Sequence, residues 1–155
     1  MRSLPFLLGV TLAAMAASPA VTEPRSRGVV EGVPTYVVDG DTLRFGKARV
    51  RLFGVDAPEL RDKKGAPNPA GEGAKRALRT LVGSGPVRCV GVGQPLSYGR
   101  LVAICRTAAG VDLSHAIVAE GWAKDVPKFS GGQYLPAELA ARWNRRGMFA
   151  IAPSL

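Results

Sequence analysis

Soft metal ligands are scarce in this chain: among 155 residues there are two cysteines, Cys89 and Cys105, and one histidine, His115. A structural zinc site takes four sulfur or nitrogen ligands, so these three residues exclude one. His115 falls within a helical pattern and reads as an ordinary helix residue. The sequence has no internal repeat, which excludes a repeat architecture, and no low-complexity tract. Its one long apolar run lies at the start, Leu4 to Ala17, and is too short to span a bilayer comfortably.

That first segment differs from the rest of the chain. Arg2 precedes the apolar run, and small residues follow at Ala14-Met15-Ala16 and Ser18-Pro19-Ala20. A basic start, a short greasy core and an A-x-A-like exit read as a signal peptide over residues 1–20. An uncleaved membrane anchor is the alternative. No cysteine lies near the exit to take a lipid. The expected location is therefore secreted or periplasmic. There, a lone cysteine pair is more often bridged than free.

The remainder has the composition of one globular domain. Hydrophobic residues make up 46% of the chain, and the formal net charge is +9. A basic surface concentrates polyanions such as nucleic acid around it. A basic protein with no anionic partner fits the same number.

Residues 21–33 lack periodicity and read as a flexible lead-in, with order beginning near Thr35 and a single domain over residues 34–150. Thr35 to Val38 is rich in β-formers and is followed by the turn signal Asp39-Gly40-Asp41. Thr42 to Phe45 and Arg49 to Val55 read as two further strands around Gly46. Residues 61–71 read as a loop. Ala74, Ala77, Leu78 and Leu81 then form one helical face. Val87 to Val92 and Arg100 to Arg106 read as a hairpin, and a symmetric register puts Cys89 opposite Cys105, within reach of a bridge. Asp112 suits the N-cap of a second helix stopped by Gly121. Ser130-Gly131-Gly132 reads as a mobile loop. Pro136 suits the first turn of a last helix with Glu138 near its positive end and Leu139 and Trp143 on one face. Residues 151–155 form a tail. Three strands, a helix, two strands and two helices predict an α+β, β-rich fold: a five-stranded OB-type barrel with about three packed helices.

The charged residues gather around the third strand. Arg51 interrupts the apolar run Val50-Arg51-Leu52-Phe53, Asp56 and Glu59 bracket Ala57-Pro58, and Arg100 follows Tyr98-Gly99. Carboxylates with oxygen-only neighbours suit a hard cation, calcium or its competitor magnesium. Each residue also has a plain structural reading: Asp39 and Asp41 shape a turn, Arg51 pairs with Asp56, Arg100 ends a strand in solvent. Together they form the set that phosphodiester hydrolysis needs. A metal neutralises phosphate charge, a carboxylate takes a proton from water, and arginines offset charge growing in the transition state.

These residues carry a family likeness. Val38-Asp39-Gly40-Asp41-Thr42 resembles the V-x-D-G-D-T opening of staphylococcal nuclease-like domains. Arg51 to Glu59 resembles their R-L-x-x-V-D-[TA]-P-E segment, and Tyr98-Gly99-Arg100 their Y-G-R motif. Glu120-Gly121-Trp122-Ala123 and Arg145-Arg146-Gly147-Met148-Phe149 resemble later elements of the same family, in the right order.

The resemblance implies an OB-like barrel and hydrolysis of DNA and RNA, preferring single strands, with P–O5′ cleavage leaving 3′-phosphates. It implies one calcium ion held by the carboxylates of Asp41 and Asp56 and the backbone carbonyl of Ala57, with Asp39 in the outer shell. Glu59 is implied as general base, Arg51 and Arg100 as phosphate-gripping catalytic residues, and Tyr98 as a substrate contact. A Cys89–Cys105 disulfide resembles a pattern in exported bacterial relatives. A monomer is the expectation. The sequence departs from the family at Ala57, where the best-known member has threonine. It departs again at Leu96-Ser97, where charged residues usually precede Y-G-R. Phe129 and Tyr134 are the candidates to flank a bound base. The alternative function is a binding module that keeps the fold without cutting.

Overall fold

The computed structural model describes residues 28–93 and 97–150. The signal-peptide and tail readings, and the first part of the lead-in, lie outside the described residues. The protein has the α+β, OB-like architecture expected: a curled mixed sheet forming a half-barrel, with helices packed on it. Six strands pair in the sheet: β1 (Val29–Gly32), β2 (Tyr36–Val37), β3 (Thr42–Phe45), β4 (Ala48–Leu52), β6 (Val87–Gly91) and β7 (Leu101–Thr107). Their spatial order is β1-β6-β7-β4-β3-β2, and a separate ribbon pairs β5 (Val55–Asp56) with β8 (Lys124–Asp125). β4 and β7 run parallel, and the other pairs are antiparallel. Helices α1 (Pro69–Val82), α2 (Leu113–Ala119), α3 (Pro127–Ser130) and α4 (Leu135–Trp143) complete the fold, followed by a 3-10 turn at Gly147–Ala150.

Alternation explains the sheet. On β3 and β4, Leu43, Val50 and Leu52 are fully buried, while Arg44 and Arg49 are exposed. The register puts Thr42 opposite Arg51, Leu43 opposite Val50 and Arg44 opposite Arg49. Successive side chains thus divide between a core face and an outer face. Leu78 and Ala74 from α1, with Leu113, Ile117 and Val118 from α2, close the core. Asp112 caps α2, accepting from the backbone N–H of Ser114 and His115.

Order starts earlier than Thr35. Val29–Gly32, read as part of the lead-in, form β1 and pair with β6, Val30 lying opposite Cys89. Four residues with exposed Val29 and Glu31 give little alternation signal, and the partner strand supplies the reason they are extended. The hairpin register places Cys89 opposite Cys105. The two form a disulfide with their Cα atoms 4.0 Å apart, fully buried.

One other expectation needs correction. The strand expected over Arg49–Val55 stops at Leu52, and the chain turns at Gly54, whose φ is +71°. A Cβ there would stand 2.8 Å from Ser130 Cβ and 3.1 Å from Tyr134 Cε2, so glycine is required sterically as well as conformationally. The turn sends Val55 and Asp56 to pair with β8 instead of β7. On α4, Leu139 and Trp143 share a face as expected, and it points outward: they are 57% and 88% exposed. Glu138 faces inward instead. Its Oε2 accepts the Asp125 backbone N–H at 2.7 Å, and its Oε1 accepts from the Arg142 side chain.

Candidate active site

The site lies where β3, β4, β5 and β7 come together at one side of the sheet. It begins with the Asp39-Gly40-Asp41 turn. Asp39 Oδ1 accepts the Asp41 backbone N–H at 3.1 Å, which holds the turn locally. A Cβ on Gly40 would fall 2.5 Å from Ala74 Cβ and 2.6 Å from Ala57 Cβ. The turn is therefore pressed against α1 and against the segment that carries Ala57. Leu52 N–H donates to the Asp41 carbonyl at 2.8 Å, which ties the turn to the end of β4.

Asp41 is 4% exposed. Its Oδ1 accepts the Thr42 hydroxyl at 2.9 Å. Its Oδ2 accepts the Ala57 backbone N–H at 3.3 Å and stands 2.9 Å from Arg51 Nη2. The same nitrogen lies 2.9 Å from Asp56 Oδ1 and donates to the Val55 carbonyl at 3.4 Å. Arg51 thus clamps two carboxylates with one nitrogen. The Gly54 turn makes this possible, because it swings β5 back over the arginine two residues before it departs. Burial pushes the Asp41 carboxyl up to about 6 despite the Arg51 charge; Asp39 adds to the rise, while Thr42 and Ala57 oppose it. Burial thus outweighs the neighbouring Arg51 cation and favours the protonated form.

Arg100 enters from the start of β7. Ser97 and Arg100 exchange two backbone hydrogen bonds of 3.0 Å. Tyr98 and Gly99 between them have φ of +51° and +74°. Positive φ at both central residues is the signature of a type I′ hairpin turn, which glycine suits and tyrosine adopts at a cost of about 1–2 kcal/mol. The Arg100 Nε donates to the Ser97 carbonyl at 2.9 Å, and Nη2 to its hydroxyl at 3.3 Å. Nη1 reaches Thr42 Oγ1 at 3.5 Å. Tyr98 stands 94% exposed at the rim, with the Arg100 guanidinium 5.8 Å from its ring centre.

Glu59 is exposed, and its backbone is held from α1. Asn68 caps that helix, accepting Ala70 N–H at 3.1 Å, while its Nδ2 donates to the Glu59 carbonyl at 2.9 Å. A side chain at Gly71 would collide with the same carbonyl. Beside Arg51 and Asp56 opens a cleft of about 450 Å³, lined also by Ser97, Val102, Val126 and Phe129. Phe129, half exposed, borders it. Tyr134 does not: it is 3% exposed and lies beneath Gly54, so its ring is not available to flank a base.

The fold brings Asp41, Arg51, Asp56 and Arg100 together, linked through Thr42, with Asp39 behind Asp41 and Ala57 touching it. Tyr98 is at the rim, and Glu59 is placed by its backbone. Among the described residues, no three Asp, Glu, His or Cys side chains cluster. The available donors are two carboxylates and a backbone carbonyl. Oxygen donors are the kind a hard divalent cation takes, and in this structure Arg51 Nη2 stands between the two carboxylates, 2.9 Å from each. Sequence reasoning missed Thr42, Ser97 and Asn68. Ser97 was visible only as a departure from the family pattern, yet it orients Arg100. Asn68-Pro69 is an N-cap followed by a first-turn proline, a signal hidden inside a stretch read as loop.

Known proteins share sequence with this chain. The family described as Staphylococcal nuclease homologue matches residues 49–150, which include Arg51, Asp56, Glu59 and Arg100. Succinoglycan biosynthesis protein ExoI of Rhizobium meliloti (strain 1021) is 35% identical over 122 residues, 76% of this chain and 63% of that protein. Endonuclease YhcR of Bacillus subtilis (strain 168) is 32% identical over 112 residues, 64% of this chain and 9% of that protein. The chain thus spans less than two thirds of either relative. With a family match over most of its length and the arginines and carboxylates gathered at one side of its sheet, this chain belongs to the staphylococcal nuclease homologue family.

Proposed function

We propose that this chain is a calcium-dependent nuclease that hydrolyses P–O5′ bonds in DNA and RNA, leaving 3′-phosphate ends, with low sequence specificity and a preference for single strands. The observation that carries the reading is the shared Arg51 Nη2, 2.9 Å from both Asp41 and Asp56, with Arg100 reaching the same Thr42 that binds Asp41. The likeness to a Bacillus endonuclease supports it. The fully buried disulfide suits an oxidising compartment and supports export, as does the character of residues 1–20. Every residue of the proposed site comes from one chain, so a monomer suffices.

Asp41, Asp56 and the Ala57 carbonyl would hold the calcium, with Asp39 supporting Asp41 through the turn. When bound, that ion supplies positive charge against the phosphate and the developing negative charge. Arg51 and Arg100 bind non-bridging phosphate oxygens, and their fork-shaped donors fix the phosphate in one orientation. Glu59 takes a proton from the attacking water as its oxygen bonds to phosphorus. The bond to O5′ breaks, and the departing oxygen takes a proton from solvent water. Tyr98, beside Arg100, and Phe129, on the cleft that Arg51 lines, offer stacking surfaces that tolerate any base.

The test is cleavage of single-stranded DNA by residues 21–155, with calcium and with a chelator, alongside Glu59→Gln. Calcium-dependent cleavage that the substitution lowers by roughly 10²–10⁴-fold supports the reading. Binding of DNA without cleavage under calcium, magnesium or manganese replaces it with a non-cutting binding module.

A further inference from the structure

The outer face of the sheet continues beyond the site. Thr42 and Arg51 form one cross-strand row, and Arg44 and Arg49 form the next row on the same face. Tyr36 on β2 stands opposite Arg44, and Lys75 of α1 donates to its hydroxyl at 2.7 Å. Tyr36 also lines a cleft of about 260 Å³ with Arg79, one turn further along α1. A step between rows is about 6.6 Å, and β4 to β2 adds two strand spacings of about 4.8 Å. A continuous path therefore leads from Arg51 across the sheet to α1.

Two features of this path call for a ligand. Arg44 and Arg49 are like charges directly opposite each other and both exposed, an arrangement that destabilises a sheet. Among the described residues neither has an acidic partner; the ion pairs lie elsewhere. The path also carries an aromatic side chain, Tyr36, 50% exposed. Three exposed cations, Arg44, Arg49 and Arg79, with the half-buried Lys75 seated 4.6 Å over one face of the Tyr36 ring, match the chemistry of an unpaired nucleic-acid strand, which offers regular phosphates and stackable bases.

We propose that Tyr36, Arg44, Arg49, Lys75 and Arg79 form a second binding track, which holds the part of a single-stranded nucleic acid lying beyond the phosphate at Arg51. This rests on the nuclease reading above and adds to it where the rest of the substrate runs. Long substrates are then held on both the site and the track, and dinucleotides on the site alone.

The experiment compares wild type with Arg44→Gln/Arg49→Gln and, on a separate element, Lys75→Gln. The probes are oligothymidylates of twelve and of two nucleotides. Affinity is measured in chelator across a salt series, and steady-state cleavage in calcium. The double substitution is expected to weaken binding of the twelve-mer roughly tenfold and lower its salt slope by about 1.4. It should raise KM for the twelve-mer and leave kcat, and all dinucleotide constants, unchanged. Lys75→Gln should act in the same direction by a smaller factor. Unchanged twelve-mer binding and KM, while wild type still cleaves, overturns the track and leaves the nuclease standing. Weakened binding of dextran sulfate with unchanged twelve-mer binding overturns it in favour of a polysaccharide surface. Failure of wild type to cleave either probe removes the nuclease reading, and the track with it.

Discussion

Arg51 and Asp41 form an ion pair in which the acid is 6% and the base 21% exposed in their side chains, and the acid nonetheless has its carboxyl raised to about 6. Burial of Asp41 drives the rise, Asp39 adds to it, and the Arg51 charge offsets only part of it. The same Arg51 nitrogen also stands 2.9 Å from Asp56, whose side chain is 65% exposed. The pocket behind the arginine is thus left with a carboxylate that gains from any additional cation.

A pH dependence follows from the sign of that shift. Between about pH 4 and 6 the folded protein keeps a proton on Asp41 that the unfolded chain has released, so this group's contribution to stability falls as pH rises through the window. Asp41→Asn removes the titration. In chelator, the stability of Asp41→Asn relative to wild type should rise from pH 4 to pH 7 by on the order of 2–3 kcal/mol. Calcium at pH 7 should then raise the Tm of wild type and leave that of the variant nearly unmoved. Denaturant titrations at several pH values measure this, and a difference independent of pH would sink it.

Thr42 joins the two halves of the site, donating to Asp41 and lying 3.5 Å from Arg100. It acts as a positioning residue, because nothing in its placement reaches a substrate directly. Thr42→Val keeps the shape and removes both polar links, and should lower kcat about tenfold, roughly 1.4 kcal/mol, with little change in KM. Thr42→Ser should restore most of the rate. A purely structural role would instead show as lost Tm with kcat intact.

Much of this arrangement was legible in the sequence. Alternation on β3 and β4, the Ala74–Leu78 face of α1, the Asp112 cap and the cysteine register are all local patterns, and each appears in the fold. What was hidden depends on partners distant in the chain. β1 is a strand because β6 needs an edge partner. The chain leaves the sheet at Gly54 because α3 and Tyr134 occupy the space beside it. Leu139 and Trp143 have the spacing of a buried face, yet Glu138 goes inward because the Asp125 backbone N–H needs an acceptor. At the site, the motifs identified the charged groups, whereas the role of Thr42 rests on a contact with Arg100, 58 residues away, and that of Ser97 on how the turn folds the Arg100 side chain back onto it.

The Cys89–Cys105 bridge spans a sequence separation of 16 and ties β6 to β7 next to the parallel β4–β7 pairing that carries Arg51. Constraint of an unfolded loop of that length contributes about 3 kcal/mol. Cys89→Ser/Cys105→Ser should lose at least that much in denaturant unfolding, because it also puts two hydroxyls into an apolar layer. Reduction of the wild-type protein should produce a similar fall. Catalysis at low temperature should survive, because no site residue touches the sulfurs. A reduced protein as stable as the oxidised one would show that the bridge contributes nothing.

Asn68 has two separable duties, and they give the sharpest test of how Glu59 is placed. Its Oδ1 caps α1 through Ala70 N–H, and its Nδ2 holds the Glu59 carbonyl. Asn68→Asp keeps the cap acceptor and removes the donor, putting a carboxylate against a carbonyl oxygen instead. Asn68→Ala removes both. If the cap alone matters, the alanine variant loses about 1 kcal/mol, while the aspartate variant matches wild type in stability and rate. If the amide also positions Glu59, the aspartate variant keeps its Tm but loses about tenfold in kcat, since misplacement of a reacting group by a fraction of an ångström is costly. The second outcome is expected. The first would mean that Glu59 is held by the packing of Gly71 against its backbone, and that the amide of Asn68 serves the helix alone.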